Sequence, residues 1–88
     1  MGIFRRHHRT PTTHYTYYGR SRRRPLYTGV TNNMKRRHRE HRSSKAWFPE
    51  VKKVKTKQYR TRTRALHAER RAIARKHPQH NIAGQRPR

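Results

Sequence analysis

The sequence predicts a small α+β chain. Short irregular strands and one C-terminal helix follow a long extended basic arm, with no core able to fold independently. Three observations lead there. Leu, Ile, Val and Phe number ten of the 88 residues. Lysine and arginine number 26 against three acidic residues, all glutamate, for a net charge of +23. So little apolar surface does not offset the entropy of ordering a chain, and the cations repel one another on compaction. Finally, β-branched and aromatic residues gather within 26–60 and alanines within 63–77.

Residues 1–25, MGIFRRHHRTPTTHYTYYGRSRRRP, read as the extended arm. Pro11, Gly19 and Pro25 interrupt it, and it has neither a helical stripe nor a clean alternation. Residues 26–60 read as a small strand-and-turn module. VKKVKTKQYR at 51–60 suits a strand, and Thr28-Gly29 and Asn32-Asn33 suit turns. Residues 61–77 read as the helix. Thr63 is placed to cap it, Leu66 and Ile73 form a narrow apolar stripe, and Pro78 stops it. Residues 78–88 form a short tail.

Composition narrows the chemistry. There is no cysteine, which excludes disulfides, cysteine-based zinc sites and thiol catalysis. His38-x-x-His41 and His77-x-x-His80 have a spacing that metal sites use, but their cationic surroundings disfavour a dication, so no metal is expected. Three glutamates leave few general bases, and there is no Gly-rich phosphate loop; neither an enzyme, a cofactor nor a small-molecule substrate is expected. No apolar run approaches the ~20 residues of a membrane span, and the stripe is too narrow for a surface-active helix, so no membrane partner is expected.

What remains is a polyanion. Cations cluster in every zone, and arginine outnumbers lysine nineteen to seven. A guanidinium binds phosphate through two N–H groups and stacks on bases, which favours close contact with folded RNA. The residues expected to meet RNA are Arg5, Arg6, Arg9, Arg20, Arg22, Arg23 and Arg24 in the arm, with Tyr15, Tyr17 and Tyr18 as stacking platforms. Lys35, Arg36, Arg37, Arg39, Arg42, Lys45, Trp47, Lys52, Lys53, Lys55, Lys57 and Arg60 follow in the module, and Arg62, Arg64, Arg70, Arg71 and Arg75 on the helix. A local core is expected from Trp47, Phe48, Val51, Val54, Leu66 and Ile73. The alternative partner is nucleic acid in bulk, packaged by a condensing protein.

The stretch SSKAWFPEVKKVKTK, 43–57, carries a resemblance. Ser44-Lys45, then Trp47, Phe48 and Pro49, then Val51 resemble the hydroxyl-lysine pair, aromatic-to-proline step and hydrophobic position of a ribosomal family. That family is the twenty-eighth protein of the bacterial-type large subunit, present also in mitochondria and plastids. Leu26-Tyr27-Thr28-Gly29 resembles its Val-x-Thr-Gly entry. The similarity covers about residues 26–66. Glu50 replaces the family's usual asparagine, and its Gly-Asn-x-x-Ser-His stretch is absent. The resemblance implies a non-catalytic structural constituent of the ribosome, bound to rRNA beside neighbouring ribosomal proteins. Divergence of this degree points to a mitochondrial large subunit, with a cytoplasmic or plastid ribosome as the alternative.

Overall fold

Residues 12–18, TTHYTYY, are all hydroxyl-bearing, imidazole or aromatic side chains, and the β-branched and aromatic ones favour extended backbone. In the computed structural model, which describes residues 11–81, they form strand β1 (Thr12–Tyr18), the centre of a three-stranded sheet. Strand β2 (Tyr27–Thr31) pairs with one side of it and β3 (Lys53–Tyr59) with the other, both antiparallel, in the order β2-β1-β3. Helix α1 (Met34–Ser44) follows β2, a 3-10 turn at Phe48–Glu50 leads into β3, and helix α2 (Arg62–Lys76) follows it.

The register sorts the side chains between two faces, because directly opposed residues of antiparallel strands share a face. Tyr15 lies opposite Gly29 and Thr56, and Tyr17 opposite Tyr27 and Val54. This face is covered by α1 and the 3-10 turn: Tyr17 meets His38, His41, Trp47 and Phe48 at ring-centroid distances of 5.6–6.4 Å. His14 lies opposite Val30 and Lys57, and Thr16 opposite Thr28 and Lys55. On this second face sits α2, whose Lys76 Nζ donates to Tyr18 Oη at 3.2 Å.

The fold differs from the sequence expectation. The chain has a core of its own, centred on Tyr15, Tyr17 and Leu26, with Tyr27, Met34, Trp47, Phe48 and Val51 packed around it. Residues 12–18 are not an extended arm but the most buried strand. Counting only Leu, Ile, Val and Phe undercounts a core built from tyrosine, a residue with enough apolar area to dominate one. Of the expected core residues, Trp47, Phe48 and Val51 are half-buried against the tyrosines. Val54 is exposed, and Leu66 and Ile73 are only half-buried and lie outside that cluster.

Two helices form where one was expected. Helix α1, MKRRHREHRSS, has no aliphatic stripe; its one buried residue is His41. Asn33 caps it, accepting from Arg36 N at 3.0 Å. In α2 the face against the sheet is alanine, with Ala65 and Ala68 buried, which lets the helix approach closely. Its cap is Thr61 rather than Thr63, accepting from Arg64 N at 3.2 Å. His77 ends it in the left-handed region at φ 47°, and Pro78 follows.

Beyond Pro78 the chain runs along the outer edge of β2. Gln79 N donates to Pro25 O at 3.0 Å and His80 N to Leu26 O at 2.8 Å. The Asn81 side chain then mimics a strand: its Oδ1 accepts from Thr28 N at 2.8 Å and its Nδ2 donates to Thr28 O at 3.0 Å. The outward backbone N–H and C=O of Thr28 are thereby satisfied.

Candidate nucleic-acid interface

On the α1 face, the strand period places Tyr15 and Tyr17 side by side, their rings 5.2 Å apart. Tyr27 joins them from β2, 6.1 Å from Tyr15 and 6.3 Å from Tyr17. Helix α1 supplies Arg37 and His41, which lie four residues apart and therefore on one side of the helix. Tyr17 Oη and His41 Nδ1 are 3.1 Å apart in a buried hydrogen bond. Three phenols, an imidazole and a guanidinium thus converge from residues scattered over more than twenty positions of sequence.

Two buried polar atoms in this cluster, Tyr15 Oη and Arg37 Nε, make no well-formed hydrogen bond, although the Arg37 side chain lies close enough to Tyr15 to act on its hydroxyl as a donor. Arg37 Nε comes within 3.3 Å of Glu40 Oε1, close enough for an ion pair, yet its N–H lacks hydrogen-bond geometry. The Tyr15 hydroxyl also requires its neighbour to be glycine. A Cβ on Gly29 would stand 2.6 Å from Tyr15 Oη.

The ionisation of the cluster follows from burial. Burial pushes the Tyr15 hydroxyl far above the ordinary tyrosine value; Tyr27 adds to the rise and the Arg37 charge opposes it. Tyr17 is pushed up to about 12, first by burial and then by Tyr27, again against Arg37. His41 is lowered, first by burial and then by Arg37 and Lys45, with Glu40 opposing. The cluster therefore holds the neutral His41 imidazole beside the neutral Tyr15 and Tyr17 phenols, with Arg37 as its cation.

One side of the cluster reaches solvent through half-buried groups. Tyr27 stacks on Trp47 at 5.5 Å, and Trp47 stacks on His80 at 4.8 Å and 7°. Arg37 and His38 are half-buried on the same helix. Tyr15 and Tyr17 stand behind these as fully buried supports.

The expected RNA-contacting residues divide accordingly. Arg5, Arg6 and Arg9 lie outside the described residues. Tyr15, Tyr17 and Tyr18 are buried and offer no ring face for a base, which corrects their assignment as stacking platforms. Arg20, Arg22, Arg23 and Arg24 are exposed on the connection between β1 and β2. There Arg20, Arg24 and Lys52 rim a cavity of about 450 Å³ whose floor includes Leu26 and Pro49. Lys35, Arg36, Arg39, Arg42 and Lys45 are exposed on and after α1, and Trp47 is half-buried. Lys52, Lys53, Lys55, Lys57 and Arg60 are exposed along β3, and Arg62, Arg64, Arg70, Arg71 and Arg75 along α2.

The residue expectations omitted Tyr27, His41, Lys76 and Asn81 from any site. Among the described residues the ion pairs are those of Glu40 with Arg36 and Arg37, so most of the cationic surface has no internal counter-charge. No group of three or more His, Cys, Asp or Glu side chains that could hold a metal ion occurs among the described residues. No protein-family model matches this chain, and neither a curated protein nor a solved structure is significantly similar to it.

Proposed function

We propose that this protein binds nucleic acid through its phosphates. The observation that carries the reading is the net charge of +23, most of it displayed on exposed arginines and lysines of α1, β3, α2 and the loops between elements. A polyanion is the partner that neutralises such a surface. The finer form implied by the resemblance over 26–66 is a structural constituent of a mitochondrial large ribosomal subunit. It would be held on rRNA beside neighbouring proteins. That form is tested by fractionating native lysate on a sucrose gradient. Co-migration with large subunits, abolished by RNase, supports it; migration elsewhere rejects it. A bulk condenser makes little use of an ordered core.

The buried cluster favours a second reading, in which bound nucleic acid is a substrate. What favours it is the convergence of Arg37, His41 and Tyr27 around the buried Tyr15 hydroxyl. With a phosphodiester at Arg37, the guanidinium would neutralise the charge developing on the phosphoryl oxygens. As a water attacks phosphorus and the bond to the leaving oxygen breaks, Tyr27, half-buried beside His41, would give its proton to the leaving oxygen and take one back from the attacking water. Tyr15 and Tyr17 would hold these groups in position.

Labelled single- and double-stranded oligonucleotides, with and without added magnesium or manganese, separate the two readings. Cleavage that Arg37→Ala and Tyr27→Phe abolish, with binding retained, supports the second. Binding without cleavage under all these conditions rejects it and leaves the first. Failure to bind at low salt rejects both.

A further inference from the structure

Strand β3 reads Lys53-Val54-Lys55-Thr56-Lys57-Gln58-Tyr59, a strict alternation. The register with β1 sets Lys53 opposite Tyr18, Lys55 opposite Thr16 and Lys57 opposite His14, so all three lysines share the α2 face. This is the face away from the tyrosine–arginine cluster. Successive side chains on one face of a strand lie about 6.8 Å apart, a spacing comparable to that of successive phosphates along one nucleic-acid strand.

The row is not a set of loose surface charges. Lys55 Nζ lies over the Tyr18 ring at 5.9 Å, and Lys76 Nζ, arriving from α2, lies over the same ring at 6.0 Å while donating to its hydroxyl. Lys57 Nζ lies over Tyr59 at 5.5 Å. Two buried or half-buried rings thus meet three ammonium groups from two elements. Between them runs a groove of about 480 Å³ lined by His14, Thr16, Lys55, Thr56 and Lys57, with no carboxylate in its lining.

We propose that Lys53, Lys55 and Lys57, continued by Lys76, form a backbone track for one strand of nucleic acid, on the face opposite the tyrosine–arginine cluster. The inference rests on the nucleic-acid reading above and adds where a strand runs. A strand on this track passes the edge of the sheet at β3, the edge that no other segment among the described residues covers. The lysines read no base; they fix the path of the phosphates. Lysines on an edge strand also discourage pairing between copies. That simpler role predicts a different result below.

The test measures binding of fluorescein-labelled oligothymidylate against salt. Replacing Lys53, Lys55 and Lys57 together by glutamine should lower the slope of log K against log salt by about 2, from roughly 0.7 per phosphate contact on a single strand. Replacing the exposed Arg70, Arg71 and Arg75 of α2 by glutamine removes the same charge and should lower the slope by less than half as much. Replacing the three lysines by arginine should keep the slope. Unchanged circular dichroism and Tm in each variant exclude unfolding. Equal slope losses in the two glutamine variants overturn the track while leaving nucleic-acid binding intact. So does a lysine-to-glutamine variant that keeps its slope and instead sediments as a larger species. If the unaltered protein shows no salt-dependent binding, the parent reading fails.

Discussion

Replacing Gly29 by alanine should destabilise this protein through one identifiable contact. The added Cβ would stand 2.6 Å from Tyr15 Oη and 2.9 Å from Tyr15 Cζ, both well inside contact distance. Tyr15 is fully buried and cannot swing into solvent. Gly29 has no positive φ, so close approach rather than backbone strain explains the glycine. Overpacking of this kind costs about 1–3 kcal/mol. Lost flexibility of the unfolded chain returns about 0.4–1 kcal/mol. The net expectation is about 1–2 kcal/mol of destabilisation. Tyr15→Phe alone removes a hydroxyl that makes no well-formed hydrogen bond and only neighbours Arg37, so it should change stability little. Combined with Gly29→Ala it should recover about 1 kcal/mol, a coupling expected only for residues in contact. Urea unfolding followed by Trp47 fluorescence measures all four corners of the cycle. A strongly destabilising Tyr15→Phe would show that the hydroxyl has a partner, and a coupling of zero would remove the contact itself. If the second functional reading holds, Tyr15→Phe also separates the two properties, with fold retained and cleavage reduced.

Acid should weaken the fold. His14 is lowered by burial and by Lys76, and His41 by burial, Arg37 and Lys45, so the unfolded chain takes up protons first as pH falls below the usual 6.5. Their stabilisation is present above that value and lost below it, and a Tm that stays flat as pH falls through the histidine range would contradict this. Alkali should do likewise: Tyr17, raised from 10.0 to about 12, retains its proton longer in the folded state, so stability declines as pH rises through that interval. A phenolate absorbance titration should show ionisation coinciding with unfolding. Asn81→Ala should cost about 1–3 kcal/mol, because it leaves both the N–H and the C=O of Thr28 without their partner; unchanged urea stability would refute the edge clamp. Trp47→Ala should cost about 3 kcal/mol or somewhat less, since Trp47 is only half-buried. Nonspecific affinity for nucleic acid should change little. A large affinity loss with an intact fold would instead make Trp47 a base-stacking residue.

Helix α2 was legible because its signals are local: alanines at helical spacing and Pro78 after the last turn; only its cap was misplaced, at Thr63 instead of Thr61. Strand β3 showed itself through β-branched residues among lysines. Strand β1 did not, for a physical reason. Covered on both faces, it loses the polar–apolar alternation that marks a half-exposed strand, and its tyrosines sit beside arginines that make an RNA-binding arm the natural reading. Helix α1 was hidden because histidine and the stem of an arginine serve where leucine is usual. The cluster could not be assembled from sequence at all. Tyr15, Tyr17, Tyr27, Arg37 and His41 meet only through the pairing of β1 with β2 and the return of α1 over it, and no single-residue pattern encodes that register.

The clamp at Asn81 has a consequence for how the protein is made. Its bonds to Thr28 join residues 53 positions apart, as does the bond from Arg24 Nε to the His77 carbonyl. During synthesis β1, β2 and α1 leave the ribosome long before the segment that seals their outer edge. Until residue 81 has emerged, the nascent chain presents an unsealed strand and a strongly cationic surface within reach of the ribosome's own RNA. Folding to the final state therefore waits on the synthesis of residue 81.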